Sequence, residues 1–189
     1  MGRNQRNVIV LLSGGIDSTA CIHHYLSLGY NVLGTFVDFG QGARLRERES
    51  AKNIAAYYNI TLNCVDVSTS KTFREGEISG RNAFLVFLVL LYHSVYSGLI
   101  SLGIHSGTPY FDCTRTFVDE MNKLIAGYTD GRVVLDAPFL EWDKKMIFNY
   151  CKASKIPFNL THSCEKGDEP CGNCLSCLDR GALIVDKES

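Results

Sequence analysis

The stretch Val8-Ile9-Val10-Leu11-Leu12-Ser13-Gly14-Gly15-Ile16-Asp17-Ser18-Thr19 decides how this chain is read. Five apolar residues predict a buried strand, Ser-Gly-Gly a turn, and Asp-Ser-Thr the opening of a helix. In that helix Ala20, Cys21, Ile22, Tyr25 and Leu26 recur at helical spacing up to Gly29. Strand, glycine turn and helix start in this order make a cradle for a polyphosphate. Glycines let backbone N–H groups approach an anion closely, the hydroxyls of Ser13, Ser18 and Thr19 add donors, and the helix points its positive end at the same spot. An ordinary turn with Asp17 or Ser18 capping a helix is the alternative reading. The stretch lacks the spacing and the in-loop lysine of the Walker loop, so a cation must come from elsewhere, and Lys144 is assigned to it. The complete Ser-Gly-Gly-Ile-Asp-Ser-Thr string resembles the PP-loop of the ATP pyrophosphatase superfamily, which includes GMP and NAD synthetases. That resemblance implies ATP and Mg²⁺ at Ser13, Gly14, Gly15, Ile16, Asp17, Ser18 and Thr19.

Outward from this loop the chain alternates strands and helices. Residues 32–37, 62–67, 101–105 and 133–135 read as further strands. Residues 44–55 read as a solvated, mixed-charge helix, 116–126 and 142–154 as amphipathic helices, and Ala83–Tyr92 as the heart of a buried helix of about 15 residues. Such alternation predicts an α/β fold: a doubly wound, mainly parallel sheet with the phosphate loop after its first strand. Asp38-Phe39-Gly40-Gln41-Gly42 falls at the end of the second strand, where open parallel sheets place ligand contacts. Asp38 and Gln41 are therefore site candidates, with a plain polar turn as the alternative. His105, ending the fourth strand, reads equally as a catalytic or a satisfied structural histidine.

Composition bounds the rest. With 189 residues, 46% of them hydrophobic, the chain suits one domain over 1–189. A net charge of -1 argues against a broad nucleic-acid surface. Residues 1–7 carry no apolar signal core, and the run 83–92 is too short to span a bilayer, so a cytoplasmic location without membrane attachment is expected. In that reducing compartment eight cysteines suggest metal or structural thiols before disulfides.

Four of those cysteines, Cys164, Cys171, Cys174 and Cys177, fall within fourteen positions, the last three at two-residue gaps. In each C-x-x-C turn two thiolates converge on one ion, Gly172 permits a left-handed turn, and Cys164 closes a tetrahedron. A closed structural Zn²⁺ site over 161–180 is the reading, with Lys166 and Arg180 offsetting its negative charge. An iron–sulfur cluster and a redox dithiol are the alternatives; the run lacks the next cysteine and proline of a ferredoxin, and a dithiol leaves two thiols unexplained. Cys21, Cys64, Cys113 and Cys151 read as small buried side chains.

Loop and cysteine cluster together resemble the 7-cyano-7-deazaguanine synthase (QueC) family over nearly the whole chain. Ser79-Gly80-Arg81-Asn82 is similar to that family's Pro-Gly-Arg-Asn, and Tyr110-Phe111-Asp112-Cys113 to its Tyr-Pro-Asp-Cys. Residues 138–144 are similar to its proline-to-lysine stretch, and 161–180 to its zinc region. The resemblance implies an enzyme that adenylates the carboxylate of 7-carboxy-7-deazaguanine with ATP, releasing pyrophosphate. Ammonia then gives the amide, and a second ATP gives the nitrile. Asp17, Ser18 and Lys144 would be catalytic, and Arg81, Asn82 and Asp112 would hold the substrate, Asp112 by accepting paired N–H donors of a guanine-like edge. A homodimer is implied as well.

Two departures stand out. Gly42-Ala43 follow Gln41 where the family carries Arg-His, and the connection 68–79 is short. Both would admit a larger nucleophile than ammonia, and QueC-like proteins in antiphage operons join the activated acid to a protein amine. A tRNA-modifying PP-loop enzyme and an inactive nucleotide-binding module complete the alternatives, the former disfavoured by charge and by the lack of an RNA module.

Overall fold

The computed structural model describes residues 6–67, 71, 73, 78–94, 97–164, 166, 167 and 169–185. Strand β1 (Asn7–Leu11) leads through the glycine turn into α1 (Ile16–Ser27), followed by β2 (Asn31–Asp38), α2 (Arg44–Tyr57) and β3 (Thr61–Asp66). The second half runs α3 (Arg81–Tyr92), β4 (Gly98–Ser101), α4 (Arg115–Thr129), β5 (Val133–Asp136), α5 (Lys144–Ala153) and α6 (Leu175–Val185). Five strands form one sheet in the order β3-β2-β1-β4-β5, and every pairing is parallel.

The unbroken apolar run of β1 follows from its central place. Ile9 and Leu11 enter the core on one face, Val8, Val10 and Leu12 the core on the other, so both halves of the strand's two-residue period must be apolar. Burying each such side chain contributes on the order of 1.5–3 kcal/mol. Helices α3 and α4 supply the first core, α1, α2 and α5 the second. From β1 the chain crosses to β2 on one side and, later, to β4 on the other. The strand order thus reverses beside β1, and the crevice where parallel sheets bind ligands opens at its C-terminal end.

Three local expectations differ from the structure. The fourth strand runs Gly98–Ser101 rather than 101–105. Leu102 and Ile104 are buried, but in the core and beyond the sheet. Gly103 is pressed flush against α1: a Cβ there would lie 2.7 Å from the Ser18 nitrogen. The helix of 83–92 is not wholly buried, because only Asn82, Val86 and Val89 are, while Leu91 is 75% and Tyr92 52% exposed. Helix α5 starts at Lys144, not Trp142, because the Asp143 carboxylate accepts the Met146 N–H at 2.7 Å and caps it. Of the connection 68–79, residues 68–70, 72 and 74–77 lie outside the described residues; Phe73 pairs with the turn at 40–42 through both its N–H and its carbonyl. Among the described residues no helix is long and apolar enough to cross a membrane.

Candidate functional site

The phosphate loop is held from three sides. Gly14 has φ +83°, and a Cβ there would meet the Glu47 carbonyl oxygen at 2.6 Å, so only glycine lets α2 pack this close. The Gly14 carbonyl accepts the His162 N–H at 2.9 Å, tying the loop to the chain that enters the cysteine cluster. Ser13 and Ser18 hydroxyls are 3.2 Å apart, while Ser18 and Thr19 hydroxyls donate to the Gly15 carbonyl at 3.0 and 2.7 Å. No side chain caps the start of α1, which leaves the N–H groups of its first turn for an anion.

Above the loop lies a cavity of about 700 Å³ lined by Ser13, Gly15, Ile16, Asp17 and Ser18. Lys144 reaches it from α5 and pairs with Asp17 at 2.5 Å between Nζ and Oδ2. Placing a cation in the first turn of a helix opposes the helix dipole, so this lysine departs from local preference where it meets the loop. The other Asp17 oxygen, Oδ1, is buried with no protein partner among the described residues. An orphaned carboxylate oxygen beside a phosphate cradle suits a hard divalent cation such as Mg²⁺. Lys152, Lys155 and Arg180 also line this side.

His105 borders the same cavity. Its Nδ1 accepts the Gly107 N–H at 3.1 Å, and a Cβ on Gly107 would lie 2.9 Å from that nitrogen, so the ring is held with the proton on Nε2. Burial depresses its pKa, with Asp17 opposing and Lys144 adding to the shift. These contacts satisfy one face of the ring and leave it neutral.

At the β2 side of the cavity stand Gln41, Glu47, Arg81 and Asn82. The Gln41 amide braces its own turn: Oε1 accepts the Phe39 N–H at 2.9 Å, and Nε2 donates to the Val37 carbonyl at 3.0 Å and to Glu47 Oε2 at 2.9 Å. Burial raises Glu47 to about 7, against the pull of Gln41 and Arg81. Asn82 donates to the Asp112 carbonyl at 3.1 Å, and the Asp112 carboxylate accepts the Asn82 backbone N–H at 3.3 Å. Asp112 thereby fastens the start of α3, and it is not among the residues lining the cavity. Asp38 is also turned away, paired with Arg48 at 3.3 Å and Arg44 at 3.8 Å.

The four sulfurs of Cys164, Cys171, Cys174 and Cys177 all lie within 4.8 Å of one another. A tetrahedral site with Zn–S bonds of about 2.3 Å separates its sulfurs by roughly 3.8 Å, so the set fits that ion with little adjustment. Gly172 takes the left-handed conformation at φ +72°. N–H groups of Asn173 and Cys174 hold the Cys171 thiol down to about 6. Arg180 donates to the carbonyls of Phe158 and Thr161 at 2.9 and 3.1 Å and to two hydroxyls, locking α6 onto the segment before Cys164.

The family model described as "Queuosine biosynthesis protein QueC" matches residues 7–79 and 69–184. The chain belongs to this family. The 7-cyano-7-deazaguanine synthase of Prochlorococcus marinus (strain NATL2A) is 30% identical, over 96% of this chain and 94% of that one. The Oceanobacillus iheyensis protein of the same name is 28% identical over 91% and 90%. Among solved structures, NMN synthetase from Francisella tularensis superposes with a TM-score of 0.52 at 16% identity, covering 98% of this chain and 79% of that one, which shows the shared fold.

Of the residues singled out in the sequence, the structure brings Ser13, Gly15, Ile16, Asp17, Ser18, Gln41, Arg81, Asn82 and Lys144 to one cavity. Gly14 and Thr19 shape the loop from behind; Asp38 and Asp112 brace neighbouring elements. Glu47 sits in a run of alternating charges with no motif to announce it. Arg180, read only as balancing the cluster's charge, also borders the cavity.

Proposed function

We propose that this chain, a single unit over 1–189, adenylates the carboxylate of 7-carboxy-7-deazaguanine and carries it through the amide to 7-cyano-7-deazaguanine. The observation that carries the reading is the Lys144–Asp17 pair set over an open glycine loop, within the fold and family just described. A carboxylate oxygen attacks the α-phosphorus of ATP and pyrophosphate leaves. The first-turn N–H groups of α1, Ser13, Ser18 and Lys144 bind the departing charge. Asp17 Oδ1 would hold Mg²⁺, which neutralises pyrophosphate when bound. Ammonia displaces AMP from the acyl adenylate to give the amide; a second ATP activates the amide oxygen, and loss of AMP leaves the nitrile. Cys164, Cys171, Cys174 and Cys177 would hold one structural Zn²⁺, and His162 links that region to the loop.

Gly42, small where the family pattern is basic and part of the cavity lining, supports a second reading in which a protein amine replaces ammonia and the product remains an amide. A homodimer would cover the exposed apolar residues Leu91 and Tyr92 of α3 and Leu124 and Tyr128 of α4. Acid-dependent exchange of labelled pyrophosphate into ATP tests the shared first step. Exchange that needs the deazaguanine acid supports the proposal; no exchange at saturating ATP and acid contradicts it.

A further inference from the structure

We propose that Glu47, with Arg81 beside it, reads the base of the acceptor acid: the carboxylate accepts the two adjacent N–H donors of a guanine-type edge, and Arg81 donates to the neighbouring carbonyl. The inference rests on the function proposed above and assigns the base-reading role to a residue outside every matched motif.

Three observations carry it. First, Asp17, Glu47 and Asp179 are the carboxylates that line the cavity among the described residues. Asp17 is engaged by Lys144, and Asp179 comes from α6 on the side of the cysteine cluster, which leaves Glu47 as the acidic group on the β2 side. Second, its position is fixed. Its backbone oxygen packs on Gly14, and its Oε2 accepts the Gln41 amide at 2.9 Å, while Gln41 is itself tied to Phe39 and Val37. Oε1 has no partner among the described residues, and Oε2 retains a free lone pair. Third, Arg81 lines the same end, near enough for its charge to act on Glu47, and its Nε donates to the Asn82 side chain at 3.3 Å.

The chemistry of the edge follows from this pairing. A guanine-type ring presents two donors and then an acceptor; a fixed carboxylate flanked by a guanidinium is the complementary order. An adenine edge offers one amino donor beside a ring acceptor, so it does not match a carboxylate and a guanidinium together. Asp112 cannot serve, since its carboxylate is bound to the start of α3 and stands outside the cavity lining.

The test measures, on the full chain, binding of 7-carboxy-7-deazaguanine, of its analogue lacking the 2-amino group, and of ATP, for wild type, Glu47→Gln and Glu47→Asp. Wild type should bind the acid at least tenfold more tightly than the analogue. Glu47→Gln should weaken the acid at least tenfold, bind acid and analogue alike, and keep ATP affinity within twofold; Glu47→Asp should fall between. Equal affinity of Glu47→Gln and wild type for the acid, or a loss confined to ATP, overturns the inference while leaving the proposed function standing. Wild-type indifference to the amino group overturns it without recourse to any variant. Failure of wild type to bind the acid at all overturns both.

Discussion

Lys144→Met removes the cation that the phosphate loop lacks in its own sequence. In the structure its Nζ lies 2.5 Å from Asp17 Oδ2, and the two side chains are 26% and 21% exposed. Exposed pairs are worth about 0.2–1 kcal/mol and breaking a fully buried one costs about 3–5 kcal/mol, so this pair falls near 2 kcal/mol. Asp17 would be left with both oxygens unpartnered among the described residues, since Oδ1 already is. Removing a cation from the first turn of α5 returns only a few tenths of a kcal/mol from the helix dipole. For a chain of this size the melting temperature should then fall by about 4–8 °C. Catalysis should suffer more: losing one group that stabilises transition-state charge costs about 3 kcal/mol, roughly 10²-fold in rate. The assay is pyrophosphate release at saturating ATP and acid, beside calorimetric melting of the same sample. Asp17→Asn combined with Lys144→Met should recover the melting temperature but not the rate, which separates electrostatic stability from catalysis. Release by Lys144→Met within threefold of wild type would refute the role given to this lysine.

Further outcomes follow from the same geometry. Gly14→Ala forces a Cβ against the Glu47 carbonyl at a positive φ, so it should destabilise the fold by at least about 2 kcal/mol in denaturant titration, and an unchanged midpoint contradicts that close packing. Cys174→Ser should lower bound zinc from one equivalent and weaken ATP binding through the His162–Gly14 bond; full zinc occupancy, or iron with sulfide in wild type, defeats the cluster assignment. Burial, opposed by Gln41 and Arg81 and aided by Asp38, raises Glu47 from 4.5 to about 7, so it ionises at a cost in the folded state. Its contribution to stability is therefore present below its unfolded value and lost as pH rises through about 7, so the melting advantage of wild type over Glu47→Gln should shrink between pH 5 and 8. Asp112→Asn should loosen the start of α3 by about 1 kcal/mol with little change in base affinity; a tenfold affinity loss without destabilisation would restore Asp112 as a base contact.

What the sequence disclosed and what it withheld have physical causes. The β1–loop–α1 unit was legible because its determinants are local: a strand buried on both faces, a turn that needs glycine and a helix beginning at the next residue. The cysteine set was legible because two-residue gaps force thiolates together whatever surrounds them. The limits of β4 were not, since Leu102 and Ile104 are as buried as sheet residues although the last strand pairs are made at Ser101; the Leu102 N–H still reaches the Asp136 carbonyl, while Ile104 is held by core contacts. Apolar character reports burial, not hydrogen-bonded pairing. Asp38, Asp112 and Glu47 were indistinguishable for a related reason. Each is a carboxylate in polar surroundings, and its role is set by the partner the fold brings to it: Arg48 for Asp38, Asn82 for Asp112, Gln41 and Arg81 for Glu47.

In the function proposed, this loop, this lysine and this cavity would convert a deazaguanine carboxylate into a nitrile at the expense of ATP. Mass analysis of the product formed from 7-carboxy-7-deazaguanine, ATP, Mg²⁺ and ¹⁵N-ammonium tests it most directly. The expected product is 7-cyano-7-deazaguanine carrying one ¹⁵N, with pyrophosphate and AMP formed in step. An acid returned unchanged, with no pyrophosphate released, refutes the first step, and a product that stops at the labelled amide refutes the nitrile step.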